Sequence, residues 1–176
     1  MIFEELELEG VFIITPEKIE DDRGFFARSI DKRMFKEKNF KADFIQSSIS
    51  YNKKKGTVRG LHYQIEPFSE AKLVRCTKGS VFEIILDIRK DSKTYKKWIG
   101  VNLDSKEYKL LYIPDGFALG FQSLEDNTEL FYQITQIYSP EHARGIRWDD
   151  KSFNITWPEK ISIISTKDSS YKPFQI

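Results

Sequence analysis

Two histidines limit what chemistry this chain can do. His62 lies in Val58-Arg59-Gly60-Leu61-His62-Tyr63-Gln64, and His142 in the polar stretch Pro140-Glu141-His142-Ala143. Zinc and iron sites need several converging His, Cys or carboxylate ligands. The chain has no His-x-His, His-Glu-x-x-His or Cys-x-x-Cys, so no metal site is expected. Phosphate-cradling glycine loops and a Gly-x-Ser-x-Gly elbow are missing as well. What remains is proton transfer by unaided side chains. An imidazole titrates near neutral pH and suits a general base. In an extended Thr57–Gln64 strand, Arg59, Leu61 and Tyr63 would face one way, and Val58, Gly60, His62 and Gln64 the other. Arg59, Lys72 and Arg75 could hold phosphate through charge-assisted hydrogen bonds. Spacing alone reads these residues equally as a rim histidine and a solvated basic strand edge.

The elements that must position them are mostly strands. Short apolar segments alternating with polar residues occur at 11–14, 44–51, Thr57–Gln64, 72–77, 81–88, 98–103, 108–113, 128–138 and 153–157. Lys78-Gly79 predicts a tight hairpin. Asp21-Asp22-Arg23-Gly24, Pro114-Asp115-Gly116 and Asp126-Asn127 read as turns. Only 32–39 has a helical pattern, with Asp31 as its N-cap. Many short strands with few helices predict an all-β jelly roll.

Composition narrows the function classes. Aromatic residues make up 14% of the chain, a load that favours pleated surfaces. The 28 basic and 27 acidic residues nearly cancel, so no broad field would draw in nucleic acid or an anionic membrane. An anionic ligand must therefore be held by a local cluster. Cys76 stands alone, which excludes an internal disulfide and points to the cytoplasm. No signal peptide or membrane-spanning run is read, and 176 residues suit one domain, 1–176.

A series of motifs carries more than spacing does. Asp21-Asp22-Arg23-Gly24-Phe25-Phe26, Gly56-Thr57-Val58-Arg59-Gly60-Leu61-His62-Tyr63-Gln64 and Lys72-Leu73-Val74-Arg75 occur in that order. Asp87-Ile88-Arg89, Ile113-Pro114-Asp115-Gly116-Phe117-Ala118, Gly145-Ile146-Arg147-Trp148 and Ile155-Thr156-Trp157-Pro158 follow. From about Phe12 to Asp168 the chain resembles the dTDP-4-dehydrorhamnose 3,5-epimerase family. The resemblance implies a double-stranded β-helix of the cupin type, normally a homodimer, acting on a nucleotide-diphosphate sugar without metal or redox cofactor. His62 matches the family's base, which takes a proton from the carbon beside the 4-keto group, and Asp168 the carboxylate that orients it. Tyr132 matches the acid that returns a proton from the opposite face, and Lys72 the cation at the enolate oxygen. Arg23, Arg59 and Lys167 match diphosphate or nucleotide contacts. Phe26 and Tyr138 resemble the aromatics that sandwich the base, and Gln46 begins the stretch touching the nucleoside.

Several positions depart from the family pattern. Leu119 stands where the family usually has His, Arg28 and Ala143 where it has Glu, and Ser47-Ser48 where it has Asp-Asn. Losing polar groups that read a ligand costs selectivity. These departures raise CDP- or GDP-linked 4-keto sugars or heptoses beside the dTDP form. They also leave room for inversion at one carbon rather than two. Alternatives within the fold are a cupin 3,4-ketoisomerase and a catalytically silent sugar-nucleotide-binding cupin.

Overall fold

The computed structural model describes residues 1–174. In chain order the elements are β1 (Ile2–Glu5), β2 (Phe12–Thr15), β3 (Lys18–Asp21), β4 (Gly24–Ala27), α1 (Lys32–Glu37), β5 (Gln46–Asn52) and β6 (Thr57–Gln64). They continue with β7 (Lys72–Lys78), β8 (Ser80–Asp87), β9 (Trp98–Asp104), β10 (Leu110–Ile113), β11 (Phe117–Ser123), β12 (Thr128–Ile134), β13 (Ala143–Gly145), β14 (Ile163–Ile164) and α2 (Thr166–Ser169). Among the described residues one sheet runs β1-β2-β10-β7-β12-β5 and the other β13-β6-β11-β8-β9, with β14 parallel to β6. The two sheets face each other in the expected jelly roll. β3 and β4 form a separate hairpin.

The sheets are buried on three levels, which explains the weak alternation of several strands. Val74, Cys76, Ile85, Leu111, Phe121 and Leu130 meet between the sheets. Leu73, Leu110 and Tyr112 cover the outer face of the first sheet together with Phe35 of α1. Leu61, Ile84, Leu86 and Ala118 point outward from the second sheet, beneath Ile146 and Phe153. A strand covered on both faces has no polar side to show. β11, almost wholly buried, therefore lacks the polar–apolar alternation that marks a strand in the sequence. α1 starts as expected, the Asp31 carboxylate accepting from the N–H groups of Arg33 and Met34.

Two expectations are corrected. Lys78-Gly79 is not a hairpin: β7 and β8 belong to different sheets, and this dipeptide is the corner where the chain crosses between them. Segment 153–157 is not a strand. Its alternation is real, since Phe153, Ile155 and Trp157 all pack on the outer core. Asn154, however, has φ +49°, which breaks the extended backbone a ladder needs. Boundaries shift elsewhere too: Tyr108 at φ +61° delays β10 to Leu110, and β12 ends at Ile134 rather than running to Tyr138. No described helix is long and apolar enough to cross a membrane.

Candidate active site

β6 carries the site, and its local geometry departs from simple alternation. Across β11, His62 pairs with Leu119 and Arg59 with Phe121. Gly60 and Leu61 thus lie opposite Gly120 alone, which is a bulge. Gly60 sits at φ +105°, and an added Cβ would meet Gly120 Cα at 2.6 Å and the Leu119 carbonyl at 2.7 Å. Only glycine fits there. The extra residue turns Arg59 to the same side as His62, into the space between the sheets, so the expected separation of the two is corrected. Leu61 points to the outer core, and Tyr63 packs against that core while also lining the cavity.

That space is a cavity of about 750 Å³, a size suited to a small organic ligand. His62 lies on one wall, on the second sheet; Lys72 and Tyr132 lie opposite, on neighbouring β7 and β12 of the first. Arg59, Arg144 and Lys167 add positive charge along it. Arg59 is held by the Asn52 side-chain oxygen at 2.8 Å and the Tyr51 carbonyl at 3.1 Å. Gln46, Ser48, Leu119, Tyr138 and Ala143 also line the cavity.

Asp168 holds the imidazole from behind. Its Oδ1 lies 2.7 Å from His62 Nε2, and its Oδ2 accepts the Gly60 N–H at 3.2 Å. The carboxylate is almost fully buried, while nearly half of the His62 side chain faces the cavity. Short α2 places it: the Ser165 hydroxyl caps the helix by accepting the Asp168 N–H at 3.0 Å. Burial pushes the Asp168 carboxyl up, but the bond and charge of His62, the Gly60 N–H and Ser165 outweigh it and leave it below its ordinary value. A buried carboxylate kept ionised this way fixes the ring and would favour its charged form over the neutral one.

The cavity therefore offers a base on one wall and a phenol and an ammonium on the other. A ring held between them could lose a proton to one side and regain it from the other.

A family model described as dTDP-4-dehydrorhamnose 3,5-epimerase matches residues 5–175. The chain belongs to this family. It is 44% identical over 169 residues to the dTDP-4-dehydrorhamnose 3,5-epimerase of Shigella flexneri, covering 96% of this chain and 93% of that one. Among solved structures, the family's enzyme from Bacillus anthracis, with TDP and pyrophosphate bound, superposes with TM-score 0.94 at 35% identity, covering 98% of this chain and 99% of the other. A dTDP-6-deoxy-D-glucose-3,5-epimerase of Legionella pneumophila, in complex with dTDP-4-keto-L-rhamnose, gives TM-score 0.89 at 34% identity, over 97% and 90%. The jelly roll is thus the cupin fold of these isomerases.

Not every expected residue of this epimerase-family chain reaches the cavity. Arg23, Phe26 and Arg28 are not among its lining residues. Arg23 and Phe26 stand on the exposed β3–β4 hairpin, where Arg23 bonds Asp21 at 2.5 Å. Arg28 follows β4, with Asp31 at 3.9 Å. Arg75, a candidate phosphate ligand, instead sits over the Tyr108 ring at 5.1 Å and does not line the cavity.

Among the lining residues that sequence reasoning missed, the polar Glu70, Glu83, Arg144 and Tyr171 matter most. Glu70 is buried and ion-paired with Lys72. The Tyr171 ring stands edge-on to His62 at 6.1 Å, and it fits only because residue 145 is glycine: a Cβ there would come within 2.0 Å of it. The Lys72 spacing could have flagged Glu70, two residues earlier on the same face. Nothing local flags Tyr171.

Proposed function

We propose that this protein inverts carbons 3 and 5 of a dTDP-linked 4-keto-6-deoxysugar by proton transfer through an enolate. One observation carries the reading: His62, backed by Asp168, and Tyr132 project from opposite sheets into one cavity. His62 removes the proton beside the ketone, Lys72 stabilises the oxygen that gains charge, and Tyr132 returns a proton from the other face. A proton α to a ketone is only weakly acidic, so base and oxyanion stabilisation are both needed; each contributes about 3–5 kcal/mol. Arg59 and Lys167 hold the diphosphate, and Gln46, Ser48 and Tyr138 contact the nucleoside. Leu119 forms an apolar stretch of wall.

The protein works as a homodimer of single-domain subunits in the cytoplasm. The β3–β4 hairpin supports the dimer: Ile19 and Phe26 on it are 69% and 63% exposed, which favours burial against another surface. Seated on a partner subunit, the hairpin would bring Arg23, Phe26 and the nearby Arg28 to a nucleotide there.

Incubation with dTDP-4-keto-6-deoxyglucose in deuterium oxide, followed by NMR, tests the activity. Deuterium should enter at carbons 3 and 5 with inversion. A migrated carbonyl would indicate a ketoisomerase, and no exchange a silent binding module; either refutes the proposal.

A further inference from the structure

Glu83 lies on β8, paired with Phe121 on one side and Val101 on the other. Its alternation partners Val81 and Ile85 both point between the sheets, into the main core. The side chain therefore enters that same space, and it lines the cavity beside Val74, Leu119, Phe121 and Leu130. Glu83 is fully buried, and both carboxyl oxygens lack a hydrogen-bond partner among the described residues. A buried polar group is normally satisfied, so an orphaned carboxyl at the apolar end of a ligand cavity marks a missing partner. Leu119 and Phe121 cannot supply one.

We propose that Glu83 is a neutral carboxylic acid that donates its hydrogen bond to an oxygen of the bound sugar at the inner end of the cavity. This rests on the nucleotide-sugar reading above and adds a substrate-contacting residue to it. An ionised carboxylate can only accept, whereas a sugar carbonyl or enolate oxygen needs a donor. Burial alone pushes the Glu83 carboxyl up to about 8, so the acid form dominates at neutral pH. An apolar site can keep a carboxylic acid neutral for this purpose. The titratable and charged groups on the surrounding strands are Cys76 and Lys72 of β7, Lys72 paired with Glu70, with Tyr132 of β12 and His62 and Arg59 of β6, the Arg59 guanidinium being held by Asn52 and the Tyr51 carbonyl. Cys76, raised to about 11 chiefly by burial, stays uncharged in this range. β9 and β11 present Val101, Leu119 and Phe121.

Two measurements test this. The first needs no turnover: the infrared difference between wild type and Glu83→Gln should show a protonated carboxyl C=O stretch at about pH 7 that vanishes as pH passes about 8. Adding a dTDP-sugar should move that band. The second is kcat/KM from about pH 6 to about pH 10. The donor must be protonated, so wild-type kcat/KM should fall about tenfold per unit above pH 8 through Glu83. Glu83→Gln keeps an N–H donor and should lose this limb. Glu83→Leu should lose about ten- to a hundredfold at neutral pH, mostly in KM, and Gln should recover most of it. Thermal melting separates a structural role, since removing an unpaired buried carboxyl should leave Glu83→Leu at least as stable as wild type. An ionised Glu83 at neutral pH, a band unmoved by the sugar, or an identical alkaline limb in Glu83→Gln each overturns the proposal. A band that moves without any turnover would instead fault the epimerase reading alone.

Discussion

The Asp168 carboxylate spans two parts of β6 at once, meeting the His62 ring nitrogen at 2.7 Å with one oxygen and the Gly60 N–H at 3.2 Å with the other. The residue that orients the imidazole is thereby also the residue that ties down the bulge aiming it. The C-terminal turn, more than a hundred residues away in sequence, completes the site.

Asp168→Asn should keep the shape and lose the charge. kcat should fall about 10²–10⁴-fold with little change in KM, because the carboxylate stands behind the imidazole. Stability should respond to acid as well. The folded carboxyl lies below its ordinary value of 3.8, so its contribution is present above that pH and is lost as pH falls through the folded value. Acid titrations followed by Trp fluorescence should show the gap between wild type and Asp168→Asn closing below about pH 3.8. A constant gap contradicts this.

The Lys72–Glu70 pair is largely shielded from water, with 13% and 5% of the two side chains exposed. Lys72→Met strands a buried carboxylate and should cost about 3–5 kcal/mol in chemical denaturation. Adding Glu70→Gln should restore most of the stability and none of the activity. Recovery of turnover in the double variant would remove Lys72 from the enolate role.

Gly60→Ala tests the bulge. The methyl group collides with Gly120 and the Leu119 carbonyl at a φ that side chains rarely adopt. The cost should be about 2–4 kcal/mol, or roughly 5–15 °C in Tm for a chain of this size. An unchanged Tm would mean that the bulge is not held in the folded protein.

The nucleoside is tested by calorimetric titration with dTDP, CDP and GDP. dTDP should bind about tenfold more tightly than the others, or about 1.4 kcal/mol. Equal or tighter CDP or GDP binding would give Arg28, Ser47, Ser48 and Ala143 the altered selectivity their departure from the family pattern suggests.

How far the sequence reaches can be seen strand by strand. The bounds of β6, Thr57–Gln64, were legible, but not which way each side chain faces, since the alternation breaks at the Gly60 bulge. α1 was legible because its cap is local. β11 was hidden by burial on both faces, and the Lys78-Gly79 corner looked like a hairpin because sheet identity is a long-range property. At the site, His62, Asp168, Tyr132 and Lys72 were found through family motifs, since no periodicity links positions so far apart. The convergence of Arg59 with His62 depends on a bulge set by pairing with β11. Glu83 was visible in the β8 pattern as a polar residue in an apolar run, but which face it took required the fold.

The most direct test of the account follows hydrogen exchange and configuration together by NMR, in deuterium oxide, for wild type, His62→Ala and Tyr132→Phe with dTDP-4-keto-6-deoxyglucose. Two side chains on opposite walls predict that His62→Ala abolishes exchange, whereas Tyr132→Phe still exchanges protons but returns them mainly without inversion. Wild-type exchange in His62→Ala, or full inversion in Tyr132→Phe, would contradict it.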